Sequence, residues 1–231
     1  MLTNLKKILA LVFYPIGMFI LPMFVTLPIA IIRGYDLDLT PGSDFFAATV
    51  LGSVIGYGIT CLALLIISFS AYKEDFRKVA SWSKFCLHML VGLACTLAAA
   101  AVGGAFVTLL GETDVAVNQQ LVEGFIMAMP VLMIITVVIF GPIVEEIIFR
   151  LVLMNLFPKW KPAINIFLSS LIFGAMHVLA GGLIHIIPYF LMGVVFGVFY
   201  VKFDNIWHAT ILHILHNGAT VVLMFVLQGM L

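Results

Sequence analysis

The stretch Gly141-Pro142-Ile143-Val144-Glu145-Glu146-Ile147-Ile148-Phe149-Arg150 sets two carboxylates and a guanidinium inside an apolar run covering residues 131–157. An apolar run of about 20 residues is what a helix needs to cross a bilayer. A charge at mid-bilayer costs about 2.5–3.5 kcal/mol on insertion scales. Three such groups between Glu145 and Arg150 therefore need partners or a task. The rest of the chain supports the membrane reading: of 231 residues, 64% are hydrophobic and 10% charged, against about 25% charged in soluble domains. The mean hydropathy is +1.23. The composition predicts an all-α, polytopic membrane bundle.

Seven apolar windows follow from hydropathy: residues 8–32, 45–72, 85–110, 124–157, 163–180, 183–203 and 206–231. The first follows Lys6 and Lys7 but is longer than the roughly 7–15 residues of a cleavable signal's apolar core, so it reads as a retained helix. Pro15, Pro22 and Pro28 predict a kink in it. Residues 1–231 read as one integral membrane domain, with N-terminal spans to about residue 120 and core spans over 121–231. Lys6, Lys7, Lys73, Arg77, Lys78, Lys84, Lys159, Lys161 and Lys202 all fall on one side of seven spans. The other side holds Arg33 with Asp36, Asp38, Asp44, Glu112, Asp114 and Glu123. The positive-inside rule predicts a cytoplasmic N-terminus and an external C-terminus in a multi-pass cell-membrane protein. With 11 basic and 11 acidic residues, nothing favours nucleic acid as a partner. Cys61, Cys86 and Cys95 lie in apolar stretches and form neither a disulfide framework nor a CxxC site. Gly52/Gly56 and Gly193/Gly197 are GxxxG pairs that predict close helix packing.

Glu146 and Arg150 stand four residues apart and can pair on one helical face. Glu145 is turned about 100° away and needs another purpose. His177, and His213 with Asn217 one turn later, are the other polar groups in the late spans. Glu145 lies 13 residues before Pro158 and His177 15 after Pro162, so both should sit roughly 20 Å from the turn joining their helices. His213 and Asn217 should lie at roughly 12 and 18 Å. The four side chains can therefore meet inside the membrane, in a site expected to open towards the cytoplasm. A carboxylate facing an imidazole can activate water, and a second imidazole and an amide can donate to an oxyanion. That is hydrolase chemistry on a membrane-associated peptide. Glu145, His177 and His213 are equally a candidate zinc set with a fourth position for water.

The pattern Glu145-Glu146-x-x-x-Arg150, Phe173-x-x-x-His177 and His213-x-x-x-Asn217, in that order, resembles the CPBP (CAAX protease and bacteriocin-processing, or Abi) intramembrane proteases over about residues 130–220. The stretch from Pro188 to Gly197, with Asn205 and Trp207 after it, is similar to that family's approach to its last motif. The resemblance implies that Glu145 with His177 activates water and that His213 and Asn217 hold the oxyanion. Glu146, Arg150 and Phe173 would support the site. It also implies a glutamic mechanism in which no cofactor is favoured, with zinc the alternative. Bacterial members suggest peptide pheromone or bacteriocin processing, or self-immunity. A non-catalytic membrane scaffold or immunity protein of the same fold is the competing reading, and a transporter the third.

Other intramembrane protease types fit less well: the chain has no HExxH, no GxGD and no matched GxSx serine. His88 and His185 are expected at the two interfaces. His208 lies about 140° from the His213 face, whereas His216, about 60° away, can line the site.

Overall fold

The computed structural model describes residues 2–40 and 42–229. Met230 and Leu231, the end of the seventh window, lie outside the described residues. Every regular element among those described is helical. The helices are α1 (Asn4–Arg33), α2 (Asp44–Arg77), α3 (Trp82–Leu109), α4 (Val117–Ala128), α5 (Pro130–Asn155), α6 (Pro162–His177), α7 (Leu183–Phe203) and α8 (Ile206–Leu227). All but α4 and α6 are long and apolar enough to cross a membrane. The protein is a multi-pass helical bundle, six of the seven windows matching full-length spans. The exception, α6, has 16 residues. It rises about 24 Å where the hydrocarbon layer is about 30 Å thick. Its last residue is His177, so that imidazole stands at the helix's end.

Local chemistry explains the ends and breaks. Thr3, Ser43, Ser81 and Asn205 cap α1, α2, α3 and α8 by accepting backbone N–H groups of the first turn. These side chains satisfy donors that have no partner within a helix. The expected kink in α1 takes the form of a wide π turn over Ile16–Ile20, directly after Pro15. Gly34 ends the helix at φ 67°, a left-handed conformation that glycine adopts without strain. Two more π turns, Thr136–Phe140 and Ile147–Val152, flank the Glu145–Glu146 pair.

Helix α5 is the bundle's centre: 44% of its apolar window is buried, against 17–33% in the other long helices. Every residue of Ile147–Val152 is buried. The glycine pairs pack as expected. A Cβ at Gly52 would meet Thr26 Oγ1 at 2.5 Å and Pro22 O at 2.6 Å, and one at Gly193 would meet Ser170 at 3.1 Å. On the basic-loop side, Asp75 ties α2 to α8. Its Oδ2 accepts from Ile206 N at 2.8 Å, its backbone O accepts from Asn205 Nδ2 at 2.7 Å, and its Oδ1 pairs with Lys78 at 2.8 Å.

Gly52→Val should force α1 from α2 and destabilise the fold by about 1–3 kcal/mol, read as a lower melting temperature in detergent. Gly58→Ala, whose methyl would meet only Phe140 at 3.8 Å, should be neutral or stabilising by up to about 1 kcal/mol.

Candidate active site

Two adjacent carboxylates on α5 meet opposite surroundings. Glu146 and Arg150 have 0% exposed side-chain surface, and Arg150 Nε stands 2.9 Å from Glu146 Oε2. Arg150 Nη1 donates to Ser169 Oγ at 3.0 Å, and that hydroxyl donates to Phe149 O at 2.7 Å. The pair forms as the spacing predicts, although the turn between its members is a π turn. The carbonyls of Arg150 and Leu151 accept from Asn155 Nδ2 instead, at 3.0 and 3.3 Å. Lys7 Nζ in turn donates to the Asn155 carbonyl.

Glu146 has a second partner that spacing along the chain could not reveal. Its Oε1 lies 2.9 Å from His213 Nδ1. A carboxylate only accepts, so Nδ1 carries the proton and Nε2 is turned towards Glu145. His177 is oriented in the same way: its Nδ1 donates to Phe173 O at 2.8 Å. The two Nε2 atoms lie 3.7 Å (His213) and 3.9 Å (His177) from Glu145 Oε2. Unlike Glu146, Glu145 keeps 14% of its side chain exposed. It faces a cavity of about 600 Å³ whose walls include His177, His213, His216 and Asn217. The structure thus brings together the four residues that the sequence singled out.

Aromatic rings hold the imidazoles in place. Phe173 lies with its ring centroid 4.4 Å from that of His177 and takes the Arg150 guanidinium over its face at 5.6 Å. Phe196 stacks on His213 at 4.4 Å and Tyr189 on His177 at 4.5 Å. Tyr189, Met192 and Phe196 all line the cavity from α7. Their i, i+3, i+7 spacing is one helical face, a signal present in the Pro188-to-Gly197 stretch but inseparable there from ordinary packing. Asn217 Nδ2 donates to Val137 O at 2.9 Å, inside the Thr136–Phe140 π turn. Its amide orientation is thereby set, and its second N–H is left over.

One sequence expectation changes. The cavity does not open towards the basic loops. Its walls continue from Glu145 to Val115, Ala116, Asn118 and Gln119, at and just before the start of α4, and to Pro188 near the start of α7. Depth counted from a turn places a group along a helix but does not say which end is sealed, and the packed Ile147–Val152 turn seals the basic end. His185 lies at the outer loops as expected, buried there and bonded to Asp114 O at 3.1 Å. His216 joins the cavity wall, whereas His208 pairs with His88 at 3.3 Å on the basic-loop side.

Donors around a tetrahedral zinc ion at 2.0–2.1 Å stand about 3.4 Å from one another. The Glu145–imidazole separations of 3.7 and 3.9 Å are wider, and no group of three or more His, Cys, Asp or Glu among the described residues has metal-site geometry. As arranged, the three side chains do not close into a zinc shell.

Residues 127–219 match the family model described as Type II CAAX prenyl endopeptidase Rce1-like, nearly the stretch over which the motifs were read. The chain is 27% identical over 203 residues to "Putative membrane peptidase YdiL" of Bacillus subtilis, covering 86% of this chain and 82% of the relative. It is 24% identical over 181 residues to "UPF0177 protein YvdC" of Lactococcus lactis, covering 78% and 69%. No solved structure matches it. These similarities bear out the resemblance to CAAX/CPBP-type proteases and support a membrane peptidase.

The glutamates should separate in folding assays. Glu146→Gln leaves Arg150 buried without its counter-charge, a loss of about 3–5 kcal/mol, and should sharply lower the monodisperse fraction on size exclusion. Glu145→Gln, at the cavity edge, should be recovered at nearly the parent level.

Proposed function

We propose that this protein is an intramembrane endopeptidase that hydrolyses a peptide bond in a membrane-associated substrate, using a glutamate rather than a metal to activate water. The observation that carries this reading is the Glu145 carboxylate set between two imidazoles at 3.7 and 3.9 Å on the floor of a cavity. Those gaps exceed a direct hydrogen bond and suit a water held by both neighbours. His177 Nε2 and Glu145 are both acceptors facing that water, because the Nδ1 proton of His177 is committed to Phe173 O. As the water oxygen bonds to the scissile carbonyl carbon, its proton passes to the Glu145–His177 pair.

The carbonyl becomes an oxyanion, and His213 and Asn217 are its donors. To donate from Nε2 while Nδ1 bonds Glu146, His213 must carry both protons. The carboxylate behind it balances that charge, and Arg150 in turn balances the carboxylate. Asn217 donates through the amide hydrogen not used by Val137 O. When the tetrahedral adduct collapses, the proton held by Glu145–His177 goes to the departing amine and the C–N bond breaks. The products are a carboxylic acid, which ionises on release, and an amine. The resemblance supports a role in peptide pheromone or bacteriocin processing, or in self-immunity.

Cleavage by purified protein should vanish in Glu145→Gln, and Asn217→Ala should lower turnover by roughly 100- to 1000-fold, as loss of a direct oxyanion donor does. Activity should survive exhaustive chelation with no stoichiometric metal found by elemental analysis. Loss on chelation and recovery with one equivalent of zinc would instead establish a metal mechanism.

The basic-residue asymmetry supports a cytoplasmic N-terminus and, with α6 counted as a seventh pass, an external C-terminus. A reporter active only outside the cytoplasm should work when fused after Leu231, and a cytoplasm-only reporter should not.

A further inference from the structure

The cavity is a one-sided funnel, and the side it faces bears on how a substrate arrives. Most of its walls come from the halves of the helices nearest one end of the bundle, with Tyr14, Glu145, Phe196 and His213 at its inner end. Ser53 and Tyr57 stand near the start of α2, Ala100 and Gly104 near the end of α3, Pro188 and Tyr189 near the start of α7, and Thr220 and Met224 near the end of α8. No wall residue comes from the opposite loops, where nine of the basic residues lie. Towards those loops the floor is closed by the sealed Glu146–Arg150 pair and the fully buried Ile147–Val152 turn. At the open end lies α4, whose Asn118, Gln119, Val122 and Phe125 face the cavity. Asn118 Nδ2 donates to the Tyr189 hydroxyl at 3.4 Å, and the Tyr189 ring stacks on His177. These side chains form the throat between the mouth and the histidine.

The open end is the one flanked by Asp36, Asp38, Asp44, Glu112, Asp114 and Glu123, with Arg33 the one basic residue there. By the charge rule that orients membrane helices, this end faces away from the cytoplasm. We infer that the catalytic cavity is reached from the extracytoplasmic side, past α4 and the Asn118–Tyr189 contact, so that its substrate is a peptide segment presented from outside or from the outer leaflet. A space of about 600 Å³ is of the size that holds a small ligand or a short extended segment, not a folded domain. The inference builds on the peptidase reading for what enters, while the direction of access stands on the cavity and the charges alone.

Cysteine accessibility in intact cells tests the direction without relying on cleavage. Cys61, Cys86 and Cys95 are replaced by alanine, and single cysteines are introduced as Gln119→Cys at the mouth, Thr220→Cys in the wall and Lys161→Cys on the basic side. A membrane-impermeant maleimide should label Gln119→Cys in intact cells and Lys161→Cys only after permeabilisation. A small charged methanethiosulfonate added outside should reach Thr220→Cys. If cysteine-free protein does not accumulate, the same positions are read as label gained over the parent with its native cysteines. Labelling of Lys161→Cys but not Gln119→Cys in intact cells would overturn the inference, as would a Thr220→Cys that is reached only from inside. Should the labelling follow the expected pattern while Glu145→Gln leaves cleavage intact, the direction of access holds and the peptidase mechanism fails.

Discussion

The site depends on one buried carboxylate with two partners. Glu146 holds Arg150 with one oxygen and His213 with the other, both at 2.9 Å and both shielded from solvent. A lone charge there would be prohibitive, and a simple ion pair would bring little net stability, because desolvation nearly cancels the attraction. The bridging geometry adds orientation. By fixing α8 against α5 through His213, Glu146 sets where Nε2 points. The Phe173 ring packs against the Arg150 guanidinium and against both imidazoles.

Helix length and turn type then decide where this chemistry sits. Because α6 stops at His177 after 16 residues, that imidazole stands at the helix's end, where it lines the cavity together with α4 and the start of α7. The π turns serve the same end. Side-chain amides bond to carbonyls in both turns. Near Val137 one is taken by Asn217, and near Arg150 and Leu151 two are taken by Asn155. Each irregularity in α5 thus locks a neighbouring side chain, one of them in the site and the other beneath it.

Much of this was legible in the sequence, for identifiable reasons. Membrane helices announce themselves by length and apolarity. Ionisable residues within them are so costly that Glu145, Glu146, Arg150, His177 and His213 stood out individually. Helical periodicity separated the two glutamates, and distance from the turns placed the motif residues at a common depth. Legibility ended where the information is non-local. Nothing in the spacing says that His213 bonds Glu146 or that Tyr189 covers His177. Nor does depth reveal which end of the bundle is packed shut, and the expected opening towards the basic loops failed on that point. Hydropathy also joined residues 124–157 into one window, although α4 and α5 are separate helices divided just before Pro130.

The adjacency of Glu145 and Glu146 follows from these constraints together. Successive residues on a helix point about 100° apart, so neighbouring carboxylates can be served by different surroundings without any change in backbone. One turns into the sealed core and finds permanent partners. The other turns to the cavity edge, where it stands too far from either imidazole for a direct hydrogen bond and so remains free to take a proton. Had the carboxylate proposed as the reactive one been paired as tightly as its neighbour, its lone pairs would be spent on stability. Had the structural one been as open, Arg150 and His213 would lose their anchor. Placing both roles on consecutive positions lets a single helix, held rigid by its own buried turn, keep the reactive group within reach of two histidines that arrive from different helices.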